Sequence, residues 1–178
     1  DGNGKLYFGT YNAGYFGMYD TVTNQFTCLS DGILREDSQF AGYGGVCLKD
    51  GYAYMCVDGD RNGDGVQTHH LIKFNLSTNK IDAYFDASAI LGSTKYFTNV
   101  NVVGDTMIAS TGAVLVAVDI NTMTEVKLPD LEHGYLGDIS LPLDGKVYLM
   151  DPTAKLLLSP PRRCLPAPPR RSPSARFI

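Results

Sequence analysis

Short apolar runs alternate along the chain with tight-turn residues, and four times a turn glycine leads directly into such a run. They are Asn3-Gly4-Lys5-Leu6-Tyr7-Phe8, Asp50-Gly51-Tyr52-Ala53-Tyr54-Met55, Val103-Gly104-Asp105-Thr106-Met107-Ile108 and Asp144-Gly145-Lys146-Val147-Tyr148-Leu149. Asn-Gly and Asp-Gly supply the positive φ a tight hairpin needs, so each marks a turn into a β-strand. From glycine to glycine the steps are 47, 53 and 41 residues. A second pattern follows the first three: Met18-Tyr19-Asp20-Thr21-Val22-Thr23-Asn24-Gln25-Phe26, Lys73-Phe74-Asn75-Leu76-Ser77-Thr78-Asn79-Lys80-Ile81, and Ala117-Val118-Asp119-Ile120-Asn121-Thr122-Met123-Thr124-Glu125. Its core is an apolar residue, Asp or Asn, two residues, then Thr. Asp and Asn can bond their own backbone two residues on, which closes a turn between two strands.

Each unit therefore contains about four strands. One precedes the glycine turn (Gly45–Lys49, Asn99–Val103 and Ile139–Leu143), one follows it, and two flank the Asp/Asn-x-x-Thr turn. Four strands in roughly 40–50 residues is the size of a β-propeller blade. Over about residues 3–158 the chain resembles the propeller-repeat proteins of kelch, YVTN and quinoprotein-like type, whose blades carry a D-x-x-T-G turn. Asn24, Asn79 and Met123 stand where that glycine would be. Asn tolerates the left-handed conformation, whereas Met123 is expected to need an extra residue in a longer third turn. The resemblance implies an all-β architecture of antiparallel four-stranded blades, near residues 3–40, 41–92, 93–133 and 134–158. Three to three and a half blades are too few to close a ring, for which 4–8 are typical. A partial propeller, a fragment of a larger secreted one, is expected, with strand edges open to self-association.

Composition adds a boundary. Residues 1–158 hold ten basic and all nineteen acidic side chains, a net of −9, whereas 159–178 hold five Arg, no acid and six of the nine prolines. Residues 159–178 are expected to be a disordered tail outside the blade-like domain of 1–158. An acidic body argues against nucleic acid as a partner. No run approaches the roughly 20 apolar residues of a membrane span. The start, Asp1-Gly2-Asn3-Gly4, has neither an initiator Met nor a charged-then-apolar leader, so a mature or trimmed chain is expected. Of the cysteines, Cys28, Cys47 and Cys56 lie in the body and Cys164 in the tail. If Asp50-Gly51 is a two-residue turn, Cys47 faces Tyr54 and is only diagonal to Cys56. The three body cysteines are expected to be small buried hydrophobes.

Candidate chemistry gathers in the second unit. Where the first and third units have short loops near Asn12-Ala13-Gly14 and Ser110-Thr111-Gly112, the second inserts Asp58-Gly59-Asp60-Arg61-Asn62-Gly63-Asp64-Gly65-Val66-Gln67. Asp58, Asp60 and Asn62 fall at positions 1, 3 and 5 of an EF-hand-like calcium loop, with Gly63 at the sharp turn and Asp64 as a further oxygen donor. His69 takes the place of the bidentate Glu at position 12. Calcium as cofactor is thus an expectation, structural in role, and the alternative is a polar hairpin loop whose Asp and Asn cap turns. His69 and His70 are neighbours and on a strand would point to opposite faces, as ordinary strand histidines.

In a propeller the first strand lines the channel, and the resemblance places its approach on the same face as the second-to-third-strand loop. Tyr43, Tyr96, Tyr135 and Asn99, with His133 and Asp138, would then share the face of the Asp58–Gln67 loop. Tyrosine faces with hydrogen-bonding rims suit glycans or peptides. The alternative is that the tyrosines pack between blades. The chain has no G-x-S-x-G, no H-E-x-x-H and no phosphate-binding glycine loop. The leading expectation is therefore a non-catalytic binding module for a glycan or protein ligand, extracellular or periplasmic. The second is a lyase, hydrolase or lactonase of propeller type using calcium and His133 with Asp138 as an acid–base pair. The third is an assembly element joining partners through open strand edges.

Overall fold

The computed structural model describes residues 2–9, 15–31, 42–61, 66–92, 96–128, 139–150 and 156–159. They form an all-β stack of antiparallel sheets, none closed into a ring. The first sheet has three strands, β1 (Lys5–Gly9), β2 (Tyr15–Asp20) and β3 (Gln25–Asp31). The second has four in sequence order: β4 (Gly42–Lys49), β5 (Tyr52–Arg61), β6 (Val66–Asn75) and β7 (Lys80–Asp86). The third also has four, β8 (Asn99–Val103), β9 (Thr106–Ser110), β10 (Leu115–Asp119) and β11 (Thr124–Glu125). The short strands β12 (Val147–Met150) and β13 (Leu156–Ser159) form a two-stranded ribbon. One helical turn, α1 (Ser88–Leu91), connects the second sheet to the third.

Two kinds of turn set this meander. At Asp20, Asn75 and Asp119 the side-chain Oδ1 accepts the backbone N–H groups two and three residues on, at 2.8–3.2 Å. These bonds fix strands Asp20↔Gln25, Asn75↔Lys80 and Asp119↔Thr124 around four-residue turns. Asn24, Asn79 and Met123 close them at φ 57°, 55° and 51°. The third turn is no longer than the others, so the expected extra residue does not exist. Met123 takes the left-handed conformation itself, with its side chain buried between the second and third sheets. That burial offsets the torsional cost, about 1–2 kcal/mol for a non-glycine residue.

The glycine turns are equivalent in place but not in phase. Thr21 N–H donates to Gly4 O, Leu76 N–H to Gly51 O and Ile120 N–H to Asp105 O. The counterpart of Gly4 and Gly51 is thus Asp105, and Gly104 fills the first turn position instead of the second. The positions Leu6, Ala53 and Met107 correspond, as do Phe8, Met55 and Ala109. In the fourth unit, Ile139–Leu143 does not form the expected strand. Pro142 has no N–H to give a ladder, and pairing shrinks to the Leu143↔Lys146 bridge and the Ser140 N–H to Tyr148 O bond.

Side-chain alternation then builds the core between sheets. Ala53, Met55 and Val57 of β5 pack with Ile72 and Phe74 against Phe16, Tyr7 and Leu29 of the first sheet. From the opposite side of the second sheet, Tyr54, Cys56 and Leu71 meet Val100, Met107, Ala109, Val116 and Val118 of the third. The other face of the third sheet, with Ile108 and Ala117, packs on Ile139, Val147 and Leu149. The second and third sheets are thus buried on both faces, which is why β5 reads as an unbroken apolar run and not as a polar-alternating strand. Gly45 marks where β4 meets β8: a Cβ there would lie 3.2 Å from Val100 N and 3.4 Å from Asn99 Cα. Cys47 does face Tyr54, and Cys56 is buried. Contrary to the expectation of burial for all three, Cys47 is only half-buried and Cys28 is exposed, on a face of the first sheet that none of the described residues covers.

Candidate functional site

Local pairing extends the second-unit hairpin well past its neighbours. The Asp58–Gln67 segment is not a ten-residue loop: β5 and β6 stay paired through Gly59↔Thr68, Asp60↔Gln67 and Arg61↔Val66. The corresponding β9–β10 hairpin pairs only as far as Ser110↔Leu115. The β5–β6 hairpin therefore projects from one end of the stack.

At its base Asp58 and His69 are cross-strand partners. Asp58 Oδ1 lies 2.6 Å from His69 Nδ1, and Asp58 Oδ2 accepts the Phe97 N–H at 2.8 Å. His69 Nε2 lies 2.7 Å from the Gly92 carbonyl oxygen. Both side chains are buried. The His69 ring meets Tyr96 and Phe97 edge-on, with centroids 6.5 and 6.1 Å away. Main-chain bonds complete the clamp: His69 N–H donates to Ser88 Oγ at 3.0 Å and Ala87 N–H to His69 O at 2.7 Å. His70 turns to the opposite side, edge-on to Tyr84, as alternation requires.

The electrostatics follow from this geometry. Both neighbours of the His69 nitrogens are acceptors, so the ring is best satisfied as an imidazolium donating twice. Burial opposes the charge, but the Asp58 carboxylate and the Gly92 carbonyl outweigh it and hold His69 above the ordinary histidine range. Burial likewise pushes Asp58 up, against the pull of the His69 and Phe97 hydrogen bonds. The folded pair thus retains its proton to higher pH than the separated groups do.

This clamp presents Tyr96. The chain passes from Tyr96 to Thr98 between Asp58 and the third sheet, where Thr98 N–H donates to Ser110 O at 2.7 Å. Phe97 is buried beneath, while Tyr96 remains 53% exposed. Of the other sequence-derived positions, Asn99 is half-buried and donates its amide to Ile139 O at 3.2 Å, tying the third unit to the fourth. Asn101 does the same with Ser140 O at 3.0 Å, a tie the sequence pattern does not single out. Tyr43 pairs with Val57, one step from the Gly42↔Asp58 pair, so its backbone belongs to the same end of the sheet. Tyr135, His133 and Asp138 lie outside the described residues, as do Asn62 and Asp64.

The donor set bears directly on calcium. Asp58 directs one oxygen to His69 and the other to Phe97 N–H, and His69, at position 12 of the pattern, is its partner. Among the described residues no group of three or more His, Cys, Asp or Glu side chains gathers as a metal site. The spacing of a calcium loop makes Asp58 and His69 its two ends and so hides their pairing. The signal that reveals it is Gly63-Asp64, a hairpin-turn dipeptide. Centred there, a hairpin sets Asp58 opposite His69.

Among the described residues no helix is long and apolar enough to cross a membrane. No known protein family matches the chain, and no curated protein matches it as a relative.

Proposed function

We propose that the chain is a non-catalytic binding module of β-propeller type, taking a glycan or protein ligand at the end of the stack where Tyr96 stands. The observation that carries this reading is the exposure of Tyr96 next to main chain that is pinned at Phe97 N–H to Asp58 and at Thr98 N–H to Ser110. An aromatic ring held this way loses little freedom on stacking against a sugar or peptide, so its contact area is converted efficiently into affinity. The projecting β5–β6 hairpin would form one wall, and calcium held by Asp60, Asn62 and Asp64 would stiffen its tip. An extracellular or periplasmic setting would suit such a hairpin. The test is a glycan and peptide array on the purified chain, repeated with Tyr96→Ala. Binding that falls at least about tenfold, for a loss near 1.4 kcal/mol, supports the reading. No binding by the native chain, or affinity unchanged in Tyr96→Ala, removes it.

A further inference from the structure

We infer that Asn75 is an acceptor for an N-linked glycan, carried on the end of the stack opposite Tyr96. The tripeptide Asn-x-Ser/Thr, with x other than Pro, occurs once in the chain, at Asn75-Leu76-Ser77. Comparison of the three equivalent turns shows that the turn itself does not require it. Their shared pattern is Asp or Asn, two residues, then Thr, and each closes on the same side-chain oxygen. The first and third turns close on Asp20 and Asp119, which have no amide, and carry Val22 and Asn121 where the second carries Ser77. Only the second turn departs at both positions, and the two departures together make the acceptor tripeptide.

The geometry suits the modification. Asn75 Oδ1 accepts Ser77 N–H at 3.0 Å, Thr78 N–H at 3.2 Å and the Ser77 hydroxyl at 2.8 Å, and Asn75 Nδ2 donates to Asp82 Oδ2 at 3.0 Å. A carboxamide nitrogen carries two hydrogens. Transfer of an oligosaccharide from a lipid pyrophosphate donor forms a bond from Nδ2 to the anomeric sugar carbon. It breaks that carbon's bond to the pyrophosphate oxygen and releases one Nδ2 proton. The hydrogen that remains can hold Asp82, and Oδ1 keeps all three donors, so the turn survives the glycan. Ser77, Thr78 and Asn79 beside it are exposed, as a bulky polar group requires. Register sets Asn75 opposite Tyr52 and His69 opposite Asp58, six residues further along β5, a span of about 20 Å. The glycan thus leaves the Tyr96 end clear. The inference rests on the extracellular setting proposed above, and not on any ligand at Tyr96.

The test is to secrete the full chain behind a cleavable leader from cultured eukaryotic cells and to map its peptides by mass spectrometry. Medium and cell extract are both mapped, before and after treatment with peptide N-glycosidase in heavy-oxygen water. A glycan on the Asn75 peptide is expected, removed by the enzyme with heavy oxygen left at position 75. Ser77→Ala should abolish it at unchanged Tm, because the first and third turns hold without a hydroxyl at this place. Ser77→Thr, which restores the hydroxyl, should retain the glycan. Tyr96→Ala, which bears on the ligand alone, should leave it in place, so a glycosylated chain that binds nothing on an array removes only the ligand reading. Chain that has lost its leader but carries an unmodified Asn75 in both medium and extract overturns the inference. So does a glycan equally abundant in Ser77→Ala.

Discussion

His69 and Asp58 sit opposite each other on β6 and β5, and their 2.6 Å contact is the knot that ties the second sheet to the connector leading into the third. Through the second Asp58 oxygen the knot reaches Phe97, and through Nε2 it reaches Gly92. Removing one partner leaves a buried polar group uncompensated. Asp58→Asn or His69→Ala should therefore cost about 3–5 kcal/mol, a fall in Tm of roughly 10 °C for a chain of this size. Thermal melting by circular dichroism measures it. A loss below about 1 kcal/mol would mean that water relieves the pair and that the connector is held by packing alone.

The same knot gives stability a pH dependence with a defined sign. His69 is raised in the folded chain, so the folded state keeps a proton that the unfolded chain releases near its ordinary value, about 6.5. The contribution is complete below that pH and is lost as pH rises through the raised folded value. Asp58 is shifted in the same direction, by burial, and adds a fall in stability as pH rises through its own raised folded value. Native Tm should decline from pH 6 toward pH 9, and His69→Gln should flatten that decline while lowering Tm at pH 6. A native profile that rises over this interval would contradict the assignment.

What is legible in the sequence is local. Asp20, Asn75 and Asp119 announce their turns because the acceptor and the N–H groups it serves lie within three residues. Asp50-Gly51 likewise fixes Cys47 opposite Tyr54. The sequence misleads where pairing over distance decides. Gly104 looks equivalent to Gly51, yet the bond to Ile120 N–H shows that Asp105 is. Asp58 and His69 resemble the ends of a calcium loop because little in their own surroundings reveals that β5 and β6 remain paired out to Arg61 and Val66. Tyr96 stands out in the sequence with the other tyrosines, but what holds it, Asp58 from 39 residues before Phe97, is visible only in the fold.

Separating the hairpin tip from its base tests the calcium proposal. If the tip binds the ion, calcium should raise the native Tm, and Asp60→Ala should abolish the rise at little cost to the Tm without calcium. Asp58→Asn should do the reverse, lowering the Tm in chelator while leaving the calcium-induced increment in place. Tm measured with and without calcium for the three proteins distinguishes them. No increment in the native chain, or one that persists in Asp60→Ala, removes the ion.

The turn carboxylates contribute on the acid side. The Asn121 and Thr122 N–H groups hold Asp119 below the usual carboxylate range, and those of Thr23 and Val22 hold Asp20 there in the same way. Because both folded values are depressed, this stability is present above the ordinary carboxylate value, about 3.9, and is lost as pH falls through the lower folded value. Asn75 performs the same turn without a charge. Asp119→Asn should therefore keep the turn and lose its acid sensitivity, whereas Asp119→Ala should lower Tm at every pH. Acid melting curves of the two variants decide it, and equal Tm values for both at pH 7 would refute the role of the side-chain acceptor.

Two glycines separate torsion from crowding. Gly51 has φ 80° and open space where a Cβ would go, so Gly51→Ala should cost only the left-handed penalty, about 1 kcal/mol. Gly45, at φ 151°, adds a steric demand, because its Cβ would press on the β8 backbone at Val100 N and Asn99 Cα. Neither backbone atom can swing aside as a side-chain tip could, so relief must come from separating the second and third sheets. Separation loosens the core that Tyr54, Leu71, Val100 and Met107 share. Gly45→Ala should consequently cost about 2–3 kcal/mol, in the range of an overpacked core, and should speed hydrogen exchange in β4 and β8 before β1 and β2. Equal losses for the two variants, or exchange that quickens uniformly, would show that β4 and β8 do not depend on their close approach at Gly45.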